Sequence, residues 1–189
     1  FSKSIRRRAA TIGGHNMDDY PLKMHVFNRA RLIKNSKNRI PYGVDLIQKY
    51  RRESWIVFTE NKKQAKEFNK IINTKGFKSA LYNTDLDSGE RLENLNKFKK
   101  ADLNVLVTCT ALDEGFDMPE ADGALILSAS SSKRQRVQRM GRVLRITENK
   151  PNALIVTVYS SKTEFDKLME EAKRYHKEGV PVSWKRQDR

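Results

Sequence analysis

The sequence predicts an α/β domain built as a doubly wound parallel sheet with helices on both faces. Three observations carry that expectation. Short apolar runs of strand length recur from Trp55 onward. Between them lie segments whose apolar residues fall at helical spacing. The strand runs are apolar almost throughout rather than alternating, which is the mark of strands covered on both faces.

The elements follow in order. Trp55-Ile56-Val57-Phe58-Thr59 reads as a first strand. A helix over 61–75 places Ala65, Phe68 and Ile72 on one stripe, with Asn61 as its cap and Gly76 as its stop. Ser79–Tyr82 is the second strand, and Ser88 is placed to cap a helix carrying Leu92, Leu95 and Phe98. Val105–Cys109, Gly123–Leu127 and Ala153–Tyr159 are three further strands. Helices are predicted over 133–146 and over Thr163–Lys177, the latter with Phe165, Leu168, Ala172 and Tyr175 inward. Ahead of Ser54 no strand is evident. Helices are expected there over 21–34 and 41–51, the second with Pro41 at its start. The expected organisation is a basic helical lead-in over 1–52, the α/β domain over 53–178 and a basic tail over 179–189. In such a domain, ligands bind at the carboxyl ends of the strands. For Trp184-Lys185-Arg186, packing of the indole is favoured over stacking on a base.

Composition narrows the function. The 189 residues include 38 Lys and Arg against 23 Asp and Glu, a net charge of +15. A polyanion is the default partner of such a chain. No apolar run approaches the roughly 20 residues of a membrane span, and the first residues lack the apolar stretch of a secretion signal, so an intracellular protein without a membrane partner is expected. A single cysteine, Cys109, excludes a disulfide framework. His15, His25 and His176 lack ligand-like spacing, so no metal site is expected in the chain itself.

The charge is uneven. Residues 1–52 hold 13 basic and 3 acidic side chains. From 101 to 132 there are six acids and no Lys or Arg, and from 133 to 145 six bases and no acid. One such run is commonly a solvated face. Two adjacent runs of opposite sign suggest a site that handles phosphate with arginines, and ribose or metal with carboxylates.

Two segments carry that chemistry. On a helix over 133–145, Val137, Gly141 and Leu144 form one stripe while Gln138, Arg142 and Arg145 form the next. Paired guanidinium forks suit a phosphate whose charge grows during transfer. In the turn from Cys109 to Pro119, Gly115 permits a tight bend that presents Asp117 at a strand tip. Asp113-Glu114 after an apolar run mimics a Walker B strand. No phosphate loop of the form G-x-x-x-x-G-K-[ST] accompanies it, and Gly13-Gly14 leads to His15-Asn16.

Taken in order, four segments resemble motifs IV, IVa, V and VI of the superfamily 2 helicases: Trp55 to Asn61, Glu90-Arg91 ahead of Phe98, Asp113 to Pro119, and Gln138-Arg139-Met140-Gly141-Arg142-Val143-Leu144-Arg145. The resemblance is to the second RecA-like domain, covers about residues 54–160, and looks nearest to XPB-like and restriction-type DNA translocases. It implies that Arg142 and Arg145 are arginine fingers on ATP and that Gln138 couples nucleotide state to the partner domain. It further implies that Gly115, Asp117 and Arg139 bind nucleotide. Thr59, Asn61, Arg91, Thr108 and Thr110 would contact nucleic acid, DNA before RNA. Cys109 departs from the pattern, standing where many relatives have a phosphate-contacting threonine. ATP with Mg2+ would be held mainly by a first RecA-like domain of the same protein. The chain would then be the C-terminal portion of a longer motor and inactive alone as an ATPase. The alternatives are a non-catalytic nucleic-acid-binding RecA-like module and the motor part of a restriction or antiviral complex.

Overall fold

A computed structural model describes Met24, Asn28 and residues 36–109, 120–127 and 153–185. Contacts divide the chain into two compact units, 1–33 and 34–189. Met24 and Asn28, in the first, are helical and exposed. The second holds helix α1 (Arg39–Tyr50), strand β1 (Trp55–Thr59), α2 (Lys62–Thr74), β2 (Ser79–Tyr82), α3 (Ser88–Lys99), β3 (Val105–Cys109), β4 (Gly123–Ile126), β5 (Leu154–Thr157) and α4 (Lys162–Lys177). The helix expected over 133–146 lies outside the described residues.

The sheet has five strands in the order β2-β3-β1-β4-β5, and every pairing is parallel. Trp55 is opposite Val105 on one side and Gly123 on the other, so β1 is central. The nearly continuous apolar runs now divide by parity. Trp55, Val57, Val105, Val107 and Leu125 pack with Phe68 and Ile72 of α2 and Val44 and Ile47 of α1. Ile56, Phe58, Leu106, Ala124 and Ile126 pack with Leu95 and Phe98 of α3 on the opposite face. Adjacent strand residues point to opposite faces, so two apolar faces require an unbroken apolar strand.

Several local expectations change. Helix α1 begins at Arg39, two residues before Pro41. Proline is tolerated there because first-turn N–H groups have no intrahelical partner. The helix is no lead-in to the unit: Ile40, Val44, Leu46 and Ile47 are buried in its core. Asp87, not Ser88, caps α3, its Oδ1 accepting from the Glu90 N–H at 2.9 Å. Leu92, expected inward, is 57% exposed. In α4 the cap is Ser161, and the buried positions are Glu164 and Glu171; Phe165, Leu168, Ala172 and Tyr175 are half-buried. Trp184 packs edge-on against Phe165, with ring centroids 5.1 Å apart, and Lys185 lies over the Tyr50 ring. The tail through residue 185 thus folds back onto the unit.

Two packing features hold the sheet. Arg39 is buried, and its guanidinium donates to the carbonyls of Leu127 (2.6 Å) and Val158 (3.0 Å), the residues that follow β4 and β5. It also donates to Ser160 Oγ and to both oxygens of buried Glu164, at 2.7 and 2.5 Å. One side chain thereby ties the start of α1 to two strand ends and to the start of α4. At Gly123 a Cβ would lie 2.6–2.7 Å from three atoms of the buried Trp55 ring. A larger residue would have to displace that rigid indole.

Removing one member of a buried ion pair strands the other charge. Glu164→Ala is expected to lower unfolding free energy by about 3–5 kcal/mol in urea titrations, with most of the loss restored in Arg39→Met/Glu164→Leu. A single-variant cost below about 1 kcal/mol would contradict the clamp. Gly123→Ala is expected to cost about 1–3 kcal/mol through overpacking, read from the same titrations.

Candidate functional site

All five strands run parallel, so their carboxyl ends lie at one edge, followed there by the amino ends of α2, α3 and α4. Strand order reverses around β1, which places β1, β3 and β4 at the crevice where ligands of doubly wound sheets bind.

At the tip of β1, Thr59 is buried, and its hydroxyl donates to the carbonyls of Thr108 (3.0 Å) and Asn61 (3.2 Å). Thr108 is also buried, its hydroxyl donating to the Cys109 carbonyl at 3.2 Å. Of the threonines expected to meet nucleic acid, Thr59 therefore braces β1 against β3, Thr108 bonds within its own strand, and both are buried. Cys109 is a buried free thiol in the same strand end. Asn61 is half-buried and caps α2, its Oδ1 accepting from the Gln64 N–H at 3.0 Å while Gln64 Oε1 accepts from the Glu60 N–H. This is the cap expected from the sequence.

Arg91 lies one turn into α3 and beside Tyr82, the last residue of β2. Burial raises the Tyr82 phenol above its ordinary pKa, and the nearby Arg91 charge offsets part of that rise. The buried Nε of Arg91 has no hydrogen-bond partner.

The sequence did not single out four residues of this corner: Lys62, Lys66, Asn83 and Asp85. Asp85, in the β2–α3 loop, forms ion pairs with Lys62 and with Lys66 (3.0 Å) at the start of α2. Hydrogen bonds from Lys62, then Lys66, hold its carboxyl below the ordinary aspartate value. Asn83 is 3% exposed; its Oδ1 accepts from the Asp85 N–H at 3.0 Å, and its Nδ2 has no partner. A Lys-Lys pair one turn apart followed by an acidic turn was the available signal, but ordinary surface helices carry the same pattern.

Gln138, Arg139, Arg142, Arg145, Gly115, Asp117 and Thr110 lie outside the described residues. Among the described residues, no cluster of His, Cys, Asp and Glu could hold a metal ion. No helix there is long and apolar enough to cross a membrane.

Comparison with known proteins gives three concordant findings. A family model described as the helicase conserved C-terminal domain matches residues 38–147. The DNA 3'-5' translocase XPB2 of Sulfurisphaera tokodaii is 35% identical over 129 residues, covering 68% of this chain and 28% of that protein. The UvrABC system protein B of Fusobacterium nucleatum is 30% identical over 125 residues, covering 62% of this chain and 19% of that protein. The chain thus spans under a third of either relative. Among solved structures, the C-terminal domain of the DEAD-box protein Dbp5 superposes with a TM-score of 0.66 over 76% of this chain and 82% of that one, at 21% identity. That likeness shows the fold.

The depressed Asp85 carboxyl fixes a pH signature. A group whose pKa falls on folding contributes stability that is present above its unfolded value and lost as pH falls through the folded one. Carboxyl-detected NMR titration is expected to place Asp85 below the ordinary aspartate midpoint, and Lys62→Ala to move it upward. An unshifted midpoint in the wild-type chain would show that the ion pairs do not persist in solution.

Proposed function

Because the chain belongs to the helicase conserved C-terminal domain family, we propose that it is the C-terminal motor domain of a nucleic-acid-dependent ATPase. It would be a superfamily 2 helicase or translocase acting on DNA in preference to RNA. One observation carries the reading. The family match covers the strand tips, the 109–119 turn and the Gln138-Arg142-Arg145 set in one continuous segment. The printed name of the Sulfurisphaera tokodaii relative favours DNA and translocation.

In this reading the active centre is shared. A first RecA-like domain of the same protein would hold ATP with Mg2+, which would supply the phosphoryl group for transfer. Arg142 and Arg145 present fixed positive forks across the domain interface, where charge develops on that group; such fingers are worth a factor of about 10³–10⁵ in turnover. Arg139, Gly115 and Asp117 would bind the nucleotide, and Gln138 would couple its state to the partner domain. The strand tips near Asn61, Arg91 and Thr110 track the nucleic-acid backbone. Backbone tracking gives weak sequence preference and steep salt dependence. Thr59 and Thr108 support that surface from beneath it.

The test uses both the chain and the intact protein. The isolated chain is expected to show no ATPase activity above background, with or without DNA. In the intact protein, Arg142→Ala is expected to lower DNA-stimulated kcat by about 10³ or more while DNA affinity holds. Turnover by the chain alone, or unchanged turnover in Arg142→Ala, would contradict the shared-site reading. Stronger stimulation by RNA than by DNA of equal length would overturn the DNA preference.

A further inference from the structure

The described helices differ in how their ends meet one electrostatic rule; α1 has no acid in its first turn and opens on Arg39, which is already paired with Glu164. Helix amino ends carry partial positive charge and favour acids, and carboxyl ends favour bases. Helices α3 and α4 obey, with Glu90 and Glu164 in their first turns and Lys97, Lys99, Arg174, His176 and Lys177 in their last. Helix α2 departs from the rule at its amino end, although Lys75 stands at its carboxyl cap. Its first turn has no acid and opens on Lys62 and Lys63, Lys66 follows one turn on, and its last turn has no base. Positive side chains gathered at a positive helix end stabilise the fold only if an anion joins them.

In the folded chain that anion is Asp85, reaching from the β2–α3 loop to Lys62 and Lys66. The same loop and the helix that follows it carry donors without acceptors. Asn83 is almost fully buried with its Nδ2 unpaired, and the buried Nε of Arg91 is unpaired as well. Buried polar groups in native proteins are nearly always satisfied, so each exception calls for a ligand or an ordered partner. Asp85 joins the two lysines at the helix amino end to a loop in which Asn83 Oδ1 accepts from the Asp85 N–H, and Arg91 follows in the first turn of α3. Asp85 is held between the lysines, whereas Asp87 and Glu90 beside it serve the start of α3 as its cap and its first-turn acid.

We propose that Asp85 is a built-in stand-in for a nucleic-acid phosphate, occupying Lys62 and Lys66 until a backbone phosphodiester displaces it. Displacement exchanges one anion for another, so the lysines are never left unpaired at the helix end. The released loop can then turn the Asn83 amide and the Arg91 guanidinium toward the phosphate oxygens. Asp85 thereby sets a threshold: weakly held polyanions fail to expel it, and a strand docked along the whole edge succeeds. The inference rests on the nucleic-acid reading of this edge and adds a regulator to it.

The test is a double-variant cycle on the full chain, using a fluorescein-labelled DNA single strand of about 20 nucleotides, longer than one domain's site, titrated across a salt series. Asp85→Asn is expected to tighten binding by about 3–10-fold at low salt and to steepen the salt slope by about one to two counterions, since each recruited phosphate contact adds about one. In the Lys62→Ala/Lys66→Ala background the same substitution should change affinity by less than about 1.5-fold, because uncoupled sites are additive. An equal gain in both backgrounds would mean that Asp85 acts only as general negative charge, and would overturn the proposal. Weaker binding in Asp85→Asn would overturn it too, by showing that the carboxylate positions the lysines. If the wild-type chain binds DNA and Asp85→Asn binds identically, the proposal fails while the nucleic-acid reading stands. If the wild-type chain binds no DNA even at low salt, both fail.

Discussion

The buried Arg39 guanidinium is the interaction on which the sheet's working edge depends. It donates to the backbone just past β4 and just past β5 and closes a bidentate pair with Glu164 at the first turn of α4. Without it, two strand ends and two helices would meet at that edge with unpaired carbonyls and a buried carboxylate. A hydrophobic replacement could stabilise the fold as well. It could not fix the direction in which each strand end leaves the sheet, because dispersion contacts carry little orientation and a planar fork of donors carries a great deal.

The parallel sheet concentrates positive character at one edge. Every strand ends there, and α2, α3 and α4 begin there. Macrodipoles give that edge a positive bias before any side chain is counted. The chain adds lysines at α2 and a half-buried arginine in α3, and the sequence adds the arginine-rich segment over 133–145. The net charge of +15 is therefore not one property. Bases in the last turns of α1, α3 and α4 neutralise helix ends and serve stability, whereas Lys62 and Lys66 of α2 stand at a positive helix end and are paired with Asp85.

Strand positions were legible in the sequence because a two-faced parallel sheet demands unbroken apolar runs, and Trp55–Thr59, Ser79–Tyr82 and Val105–Cys109 fold as read. Phe68 and Ile72 were legible from helical spacing, and Asn61 from its capping chemistry. Other residues were hidden for identifiable reasons. Arg39 stands 125 positions from Glu164, and no local pattern marks an arginine as buried when its partner is that remote. Leu92 shares the spacing of Leu95 and Phe98, yet lies toward the edge of the buried stripe. Thr59 and Thr108 looked like phosphate contacts from motif position alone, whereas the Thr59 hydroxyl is taken by a β3 carbonyl and the Thr108 hydroxyl by the next carbonyl of its own strand. Asp85 and Asn83 became visible only when the β2–α3 loop was seen against the start of α2.

The central claim is that nucleic acid meets the carboxyl-terminal edge of the sheet. Hydrogen–deuterium exchange of the chain with and without single-stranded DNA tests it directly, because it reports binding as local protection along the backbone. Protection is expected over residues 59–66 and 83–91, with no change at the opposite edge over 51–53, 75–78 and 99–102. Protection confined to that opposite edge, or its absence from the strand tips in a chain saturated with DNA, would contradict the account.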